Sequence, residues 1–357
     1  MAEKHVVQYQ NVHDQYFKAT LSGLEPDKKY NVRVGCENYR SEWFTVRTSP
    51  VNFEPFHFLY FGDMQNEIRE YGTRVFRHAA TNNPNARFIV HAGDLVLSSG
   101  NDDTWAEWFH AGGWLFQQVP SAVVAGNSDH LRWQREPTDQ RLLFPQWHGI
   151  FHLPKNGPEG FENLVYYFDY PGVRVVSLYS NFESMDGNNR EIYIREGFML
   201  TDELFQQQVN WLEEVLAANQ QPWLVVLMHH PVFSSKEGRV SDLMKSYFLP
   251  LFENYSVDLV LQGHDHVYAR GNNPESENNS ELPVYVISVA GGKMNKVDPS
   301  RSWIEQSIEN KQLYHVIRID QNSLQFDAVD VKGQIADSFY IVARPDGSKE
   351  RGNHHPK

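Results

Sequence analysis

The chain has 357 residues, a length that suits about two domains, and 41% of them are apolar, with 22 Phe, 17 Tyr and 9 Trp, which builds a folded core and excludes a disordered chain. Its 45 acidic residues against 32 Lys and Arg set a formal net charge of -13, an unfavourable field for non-specific nucleic-acid binding. Cys36 is the only cysteine, which excludes an intrachain disulfide, thiolate metal sites and iron–sulfur clusters, and no run reaches the ~18 apolar residues of a membrane span.

Residues 1–50 read as a small all-β module with three or so strands. Alternation is clear at Tyr30, Val32 and Val34 and again at Trp43, Thr45 and Arg47, and Pro26-Asp27 marks a turn between runs. Ser49 to Pro55 is a linker. Residues 51–345 then alternate strands and helices, with strands expected at 56–61, 87–92, 121–125, 173–179, 223–228, 257–262 and 283–289. Helices are expected at 66–81, 103–117, 202–218 and 240–252; in the third, Thr201 suits the N-cap and Phe205, Val209, Leu212 and Leu216 form one apolar stripe. The later runs YHVIRID, LQFDAVD and SFYIVARP alternate like antiparallel strands. The expected fold class is α/β, with more than one sheet and the helices outside. Loops 153–163 and 270–282 are long enough to shape a substrate mouth, and the polar tail 346–357 is expected to fray. The opening MAEKHVVQYQNVHD lacks a signal-peptide pattern, so the chain reads as cytosolic, which a lone cysteine fits, or as a trimmed form of a longer precursor.

Five short segments carry chemistry: FGDMQ, HAGDLV, AGNSDH, VLMHHP and QGHDHVYAR. Each follows or ends a β-branched apolar run, so the strand fixes the backbone while the loop turns a side chain into a cleft. Together they supply Asp63, Asp94, Asn127, His229, His264 and His266. Any one of these alone reads as well as a turn aspartate, a capping asparagine or a core histidine. Five such loops in one chain point instead to a binuclear metal site with oxygen and imidazole donors.

With these blocks in order, the chain resembles the calcineurin-like metallophosphoesterases and, within them, the purple acid phosphatases, from about residue 12 to 340. The resemblance implies a metallophosphoesterase sheet sandwich flanked by helices (αββα). It implies that Asp63 and His266 bind one ion, that Asn127, His229 and His264 bind a second, and that Asp94 bridges both. Leu21 to Val34 matches the L-x-G-L-x-P-x-x-x-Y-x-x-R-V stretch of a fibronectin type III domain, so the first module resembles a truncated domain of that type, packed on its neighbour. Related phosphatases are commonly exported, which implies a secreted or periplasmic parent.

Three positions depart from the resemblance. Leu97 stands where a purple acid phosphatase has the tyrosine that binds ferric iron, so a stable Fe(III)-tyrosinate is not expected. Gln65 stands where other superfamily members have a histidine, which predicts a weaker, exchangeable first ion and a tighter second one. Ser128 replaces the histidine of G-N-H, and Asp129 and His130 are the candidates to take over its acid role or else brace the loop. His230 and Asn127 are further candidates on the substrate side; strand alternation turns His230 away from the metal of His229. His91 reads similarly, Asp265 as a loop brace, and Arg270 either as structural or as a contact to substrate oxygen.

The expected function is hydrolysis of a small phosphate ester, monoesters first, by metal-activated hydroxide with two divalent ions, Mn, Zn or Fe. Two alternatives stay open: a phosphodiesterase, and a catalytically impaired homologue that only binds phosphate or another ligand. The sequence leaves the oligomeric state open.

Overall fold

The most apolar runs of the sequence become buried parallel strands. The computed structural model describes residues 2–9, 12–132, 141–143, 145–181, 194–195, 198–199, 202–239, 242–276 and 282–354. Val173–Ser177, Trp223–Leu227 and Leu259–Gln262 are buried at every position and pair in parallel, as expected of strands covered on both faces. They lie within a seven-stranded sheet in the order Tyr166–Tyr170, Val173–Ser177, Trp223–Leu227, Leu259–Gln262, Val284–Ile287, Tyr268–Gly271, Ile304–Ile308. The other seven-stranded sheet runs Lys349–His354, Ile335–Ala343, Ser323–Asp330, Leu313–Ile319, Phe56–Phe61, Ile89–His91, Ser121–Val123. Both sheets are mixed. Phe56–Phe61 is the turning point of the second, with Tyr60 opposite His315 on an antiparallel neighbour and opposite Val90 on a parallel one.

The sheets form a sandwich with the helices outside. Aromatic hydroxyls bind one sheet to the other: Tyr166 donates to the Val123 carbonyl and accepts from its N–H, both at 2.9 Å. Tyr60 likewise donates to the Gln262 carbonyl and accepts from its N–H at 3.1 Å. Rings such as Phe56 and Tyr170, 4.5 Å apart, fill the space between, each buried large side chain contributing roughly 1.5–3 kcal/mol.

The expected helices appear at Thr73–Asn82, Asp102–Gln118, Asp202–Ala217 and Asp242–Asn254. The first starts later than its pattern indicates, because a wide turn at Ile68–Gly72 follows Glu67, whose φ is 52°. Thr201, the expected N-cap, lies outside the described residues. So does 277–281, the middle of the second expected mouth loop. The 153–163 loop is pinned to helix Asp202–Ala217, where Trp211 Nε1 donates to the Asn156 carbonyl at 2.8 Å. Among the described residues, no helix is long and apolar enough to cross a membrane.

The two chain ends differ from expectation. The first fifty residues form two separate hairpins, Glu3–Tyr9 with Val12–Lys18 and Lys29–Val32 with Phe44–Arg47. They are not joined in one sheet, and the residues a fibronectin-type core would need, Leu21, Leu24, Val34 and Trp43, are exposed. Four short strands cannot bury two faces by themselves, and the fibronectin-like reading finds no support in the fold. The first hairpin instead rests on the short helix Pro145–Ile150, where Lys18 Nζ donates to the His148 carbonyl. Within the tail, Lys349–His354 is a strand paired with Ile335–Ala343, and residues 355–357 lie outside the described residues. Lys349 Nζ reaches both oxygens of the buried Asp258 at 2.7 Å and lies 4.6 Å from the centre of the Trp223 ring.

Candidate metal centre

The carboxyl ends of parallel strands from both sheets meet along one edge. Phe56–Phe61, Ile89–His91 and Ser121–Val123 deliver Asp63, Asp94 and Asn127 from one sheet. Trp223–Leu227 and Leu259–Gln262 deliver His229, His264 and His266 from the other. Hydrogen bonds close the seam: the His264 N–H donates to Asp63 Oδ2 at 2.7 Å, and the Ala290 N–H donates to the Gly62 carbonyl at 2.7 Å. The loops turn abruptly. Asp63, Asp94, His264 and His266 have φ of 46°, 51°, 75° and 54°, a left-handed conformation that costs an L-residue roughly 1–2 kcal/mol each. The neighbouring glycines serve close approach: a Cβ on Gly126 would lie 2.3 Å from Asp94 Oδ1, and one on Gly263 would lie 2.5 Å from Asp63 Oδ2.

Two triads result, both buried. In Asp63, Asp94 and His266 the ligand-type atoms lie within 4.8 Å of one another, and the same holds for His229, His230 and His264. Asn127 belongs with the second triad, its Oδ1 lying 2.8 Å from His264 Nδ1 and 3.1 Å from His229 Nε2. Asp94 faces both groups: its Oδ1 is 3.4 Å from His229 Nε2, and its Oδ2 accepts from Gln65 Nε2 at 2.8 Å. Carbonyls set the tautomers. His229 Nδ1 lies 2.7 Å from the Ala92 carbonyl and His266 Nδ1 lies 3.1 Å from that of Lys293, so each Nδ1 carries the proton and each Nε2 turns a bare lone pair inward.

Burial outweighs the Arg239 cation and the His264 N–H in setting the charge of Asp63. Burial, and then the neighbouring Asp94 carboxylate, hold the Asp63 carboxyl well above its usual range. Burial, and then the facing His230, push His264 well below, and burial takes His266 down to about 4. Asp63 Oδ1 is buried with no hydrogen-bond partner. Buried carboxylates beside neutral imidazoles with inward lone pairs fit divalent cations held by oxygen and nitrogen.

A family model described as calcineurin-like phosphoesterase matches residues 56–268, more than half of the chain and all six expected ligands. The chain belongs to the calcineurin-like phosphoesterase family. Purple acid phosphatase 23 of Arabidopsis thaliana is 26% identical over 313 residues, covering 78% of this chain and 62% of its own length. Human tartrate-resistant acid phosphatase type 5 is 27% identical over 223 residues, covering 60% of this chain and 63% of its own length. The solved purple acid phosphatase PPD1 from yellow lupin seeds superposes with a TM-score of 0.73 at 19% identity, over 96% of this chain and 66% of that one, and so shares the fold. The chain spans between half and about two thirds of the length of the curated relatives it matches.

The remaining expected residues divide by what they touch. Asp129 is fully buried, accepting from the N–H groups of Leu95 at 2.9 Å, Val96 at 3.2 Å and Gly126 at 2.8 Å. His130 is held on both sides, Nδ1 at 2.6 Å from the Gly126 carbonyl and Nε2 at 2.9 Å from the Tyr179 hydroxyl. Both brace the loop that presents Asn127. His230 is itself a member of the second triad, its ring 4.2 Å from that of His264. Strand alternation does not turn it away, because the strand ends at Leu227 and the loop beyond is free of the pleat. Ser128 donates to both oxygens of Asp94, from N–H at 2.7 Å and from Oγ at 3.2 Å. Leu97 is 53% exposed.

Asp265 braces its loop, accepting from Ser234, Ser235 and Arg239. Arg270 is buried and paired with Asp337 and Glu305, which removes it as a contact to substrate. His91 sits in a cage of Phe61, Phe76, Trp108 and Phe116. Sequence reasoning missed two supports. Ser180 Oγ accepts from the N–H groups of His229 at 3.1 Å and His230 at 2.9 Å, and Arg239 donates to the His264 carbonyl at 2.7 Å. Neither lies near a motif, and no local signal marks them.

Proposed function

We propose that the chain is a metal-dependent phosphoric ester hydrolase acting on phosphomonoesters. The observation that carries this reading is one carboxylate, Asp94, facing two ligand clusters at once. Asp63, Asp94 and His266 would hold one ion; Asp94, Asn127, His229 and His264 would hold the other. The donor set suits Mn, Zn or Fe(II), and exposed Leu97 leaves no phenolate there for a ferric centre. When bound, the pair supplies Lewis-acid polarisation of a phosphoryl oxygen and acidifies water for attack.

The protein's own part is orientation. Ser128 fixes the shared carboxylate through both of its oxygens. The Ala92 and Lys293 carbonyls hold two imidazoles in the tautomer that presents a lone pair. Asp129 and His130 hold the loop that carries Asn127, and their hydrogen bonds keep them from protonating a leaving group. An acid missing from this loop costs ~10²–10⁴-fold where the leaving oxygen needs a proton, and less for phenolic esters. This absence is also what keeps phosphodiester hydrolysis as the second reading.

The test is the initial rate on p-nitrophenyl phosphate and bis-p-nitrophenyl phosphate, metal-stripped and then titrated with Mn²⁺. Saturable rescue that Asp94→Asn removes supports the hydrolase, and the preferred ester separates the two readings. Metal binding with no turnover of either ester would leave a binding homologue in its place.

A further inference from the structure

We propose that Gln65 is a protein ligand of the ion that Asp63, Asp94 and His266 would hold, binding through its amide oxygen. The inference rests on the metal-centre reading above and assigns a residue outside both triads.

Gln65 is held in place before its side chain does anything. Its N–H donates to the Asp94 carbonyl at 2.9 Å, and the residue is 4% exposed. Its amide nitrogen lies 2.8 Å from Asp94 Oδ2 and 2.8 Å from His266 Nε2. Both are acceptors, because His266 keeps its proton on the nitrogen facing Lys293. The NH₂ group therefore faces two lone pairs of the ligand-type atoms of Asp94 and His266. The other end of the amide gains nothing: Gln65 Oε1 is buried and has no hydrogen-bond partner.

A buried acceptor without a donor costs about 1–3 kcal/mol, and a half-turn of the amide exchanges its two ends with little change of shape. With a cation between Asp94 and His266, those lone pairs are directed at the ion. An NH₂ group there would be repelled, while Oε1 would be drawn in. The ligand count agrees. Without Gln65 this pocket offers three protein ligands and with it four, and an octahedral ion such as Mn²⁺, taking about six donors, would still have room for water. A neutral amide oxygen is a hard but weak donor, which favours Mn²⁺ over ferric iron and makes this ion the exchangeable one.

The experiment uses the full chain, chelator-stripped, with Mn²⁺ binding followed by titration calorimetry and the exchange-coupled signal of a Mn²⁺ pair by electron paramagnetic resonance. Wild type is expected to bind two ions in a tight and a weak step and to show the coupled signal. Gln65→Ala should weaken the weak step by ~10-fold or more, leave the tight step unchanged and lose the coupled signal. Gln65→Glu, of the same length and folded by its melting curve, should tighten the weak step and restore the signal. A Gln65→Ala protein that takes up the weakly bound ion as tightly as wild type, or more tightly, overturns the proposal. A wild-type protein that binds no Mn²⁺ sinks the metal-centre reading itself.

Discussion

The two pockets of the centre share Asp94 and are otherwise built from different chemistry. One has Asp63, His266 and the Gln65 amide; the other has His229, His230 and His264 around Asn127. The first gathers negative charge that burial penalises, so it needs a cation, yet its extra donor is weak. The second consists of amide and imidazole groups, which bind borderline metals well. The contrast teaches that a centre can be complete in its bridging residue and still unequal in its two halves. The family resemblance locates both halves, while the departures at Gln65 and Leu97 fall on the first.

The sharpest way to break the comparison is to remove what the pockets share. Asp94→Asn should lower turnover by roughly 10²–10³-fold or more and weaken both binding steps; loss of one step alone would show that Asp94 serves a single ion. The loop between the pockets is tested next through its missing acid. Rates on alkyl phosphates should fall at least ~10²-fold below those on p-nitrophenyl phosphate, and near-equal rates would reveal an acid that the Asn127–His130 loop does not supply.

Selective damage sharpens the contrast further. His264→Ala should weaken the tight ion by ~10–100-fold, whereas Asp63→Ala should weaken only the exchangeable one. The same step affected by both variants would remove the asymmetry.

The smallest expected effect concerns an imidazole kept neutral without a cation. Burial pushes His91 down to about 3, from an ordinary value of 6.5. Below pH 6.5 the unfolded chain takes up a proton that the native chain refuses until about pH 3, so this residue lowers stability as pH falls through that window. At pH 5 the loss is roughly 2 kcal/mol. His91→Phe, in the same aromatic cage, should therefore lose less stability than wild type between pH 7 and 5 in denaturant melts, and parallel slopes would refute it.

Much of this was legible in order along the chain. The strands at Phe56–Phe61 and Trp223–Leu227 and the helix Asp202–Ala217 follow from apolar runs and periodicity that need no partner to be recognised. The tail and the first module were not. Whether Lys349–His354 is a strand depends on Asp258 and Trp223 waiting for Lys349, and whether Leu21 and Trp43 are core depends on a second sheet that never forms.

By itself, the sequence determined the inventory of the centre: six donors after apolar strands, no thiolate, no phenolate at Leu97 and no histidine at Ser128. These are identities, and covalent chemistry settles them. Tertiary structure alone decided which donors meet, that Asp129 and His130 brace, that His230 turns inward and that Gln65 lies between Asp94 and His266. The physical reason is that such roles depend on distances between loops from two sheets and on backbone turns with positive φ, quantities that exist only once the sandwich has closed.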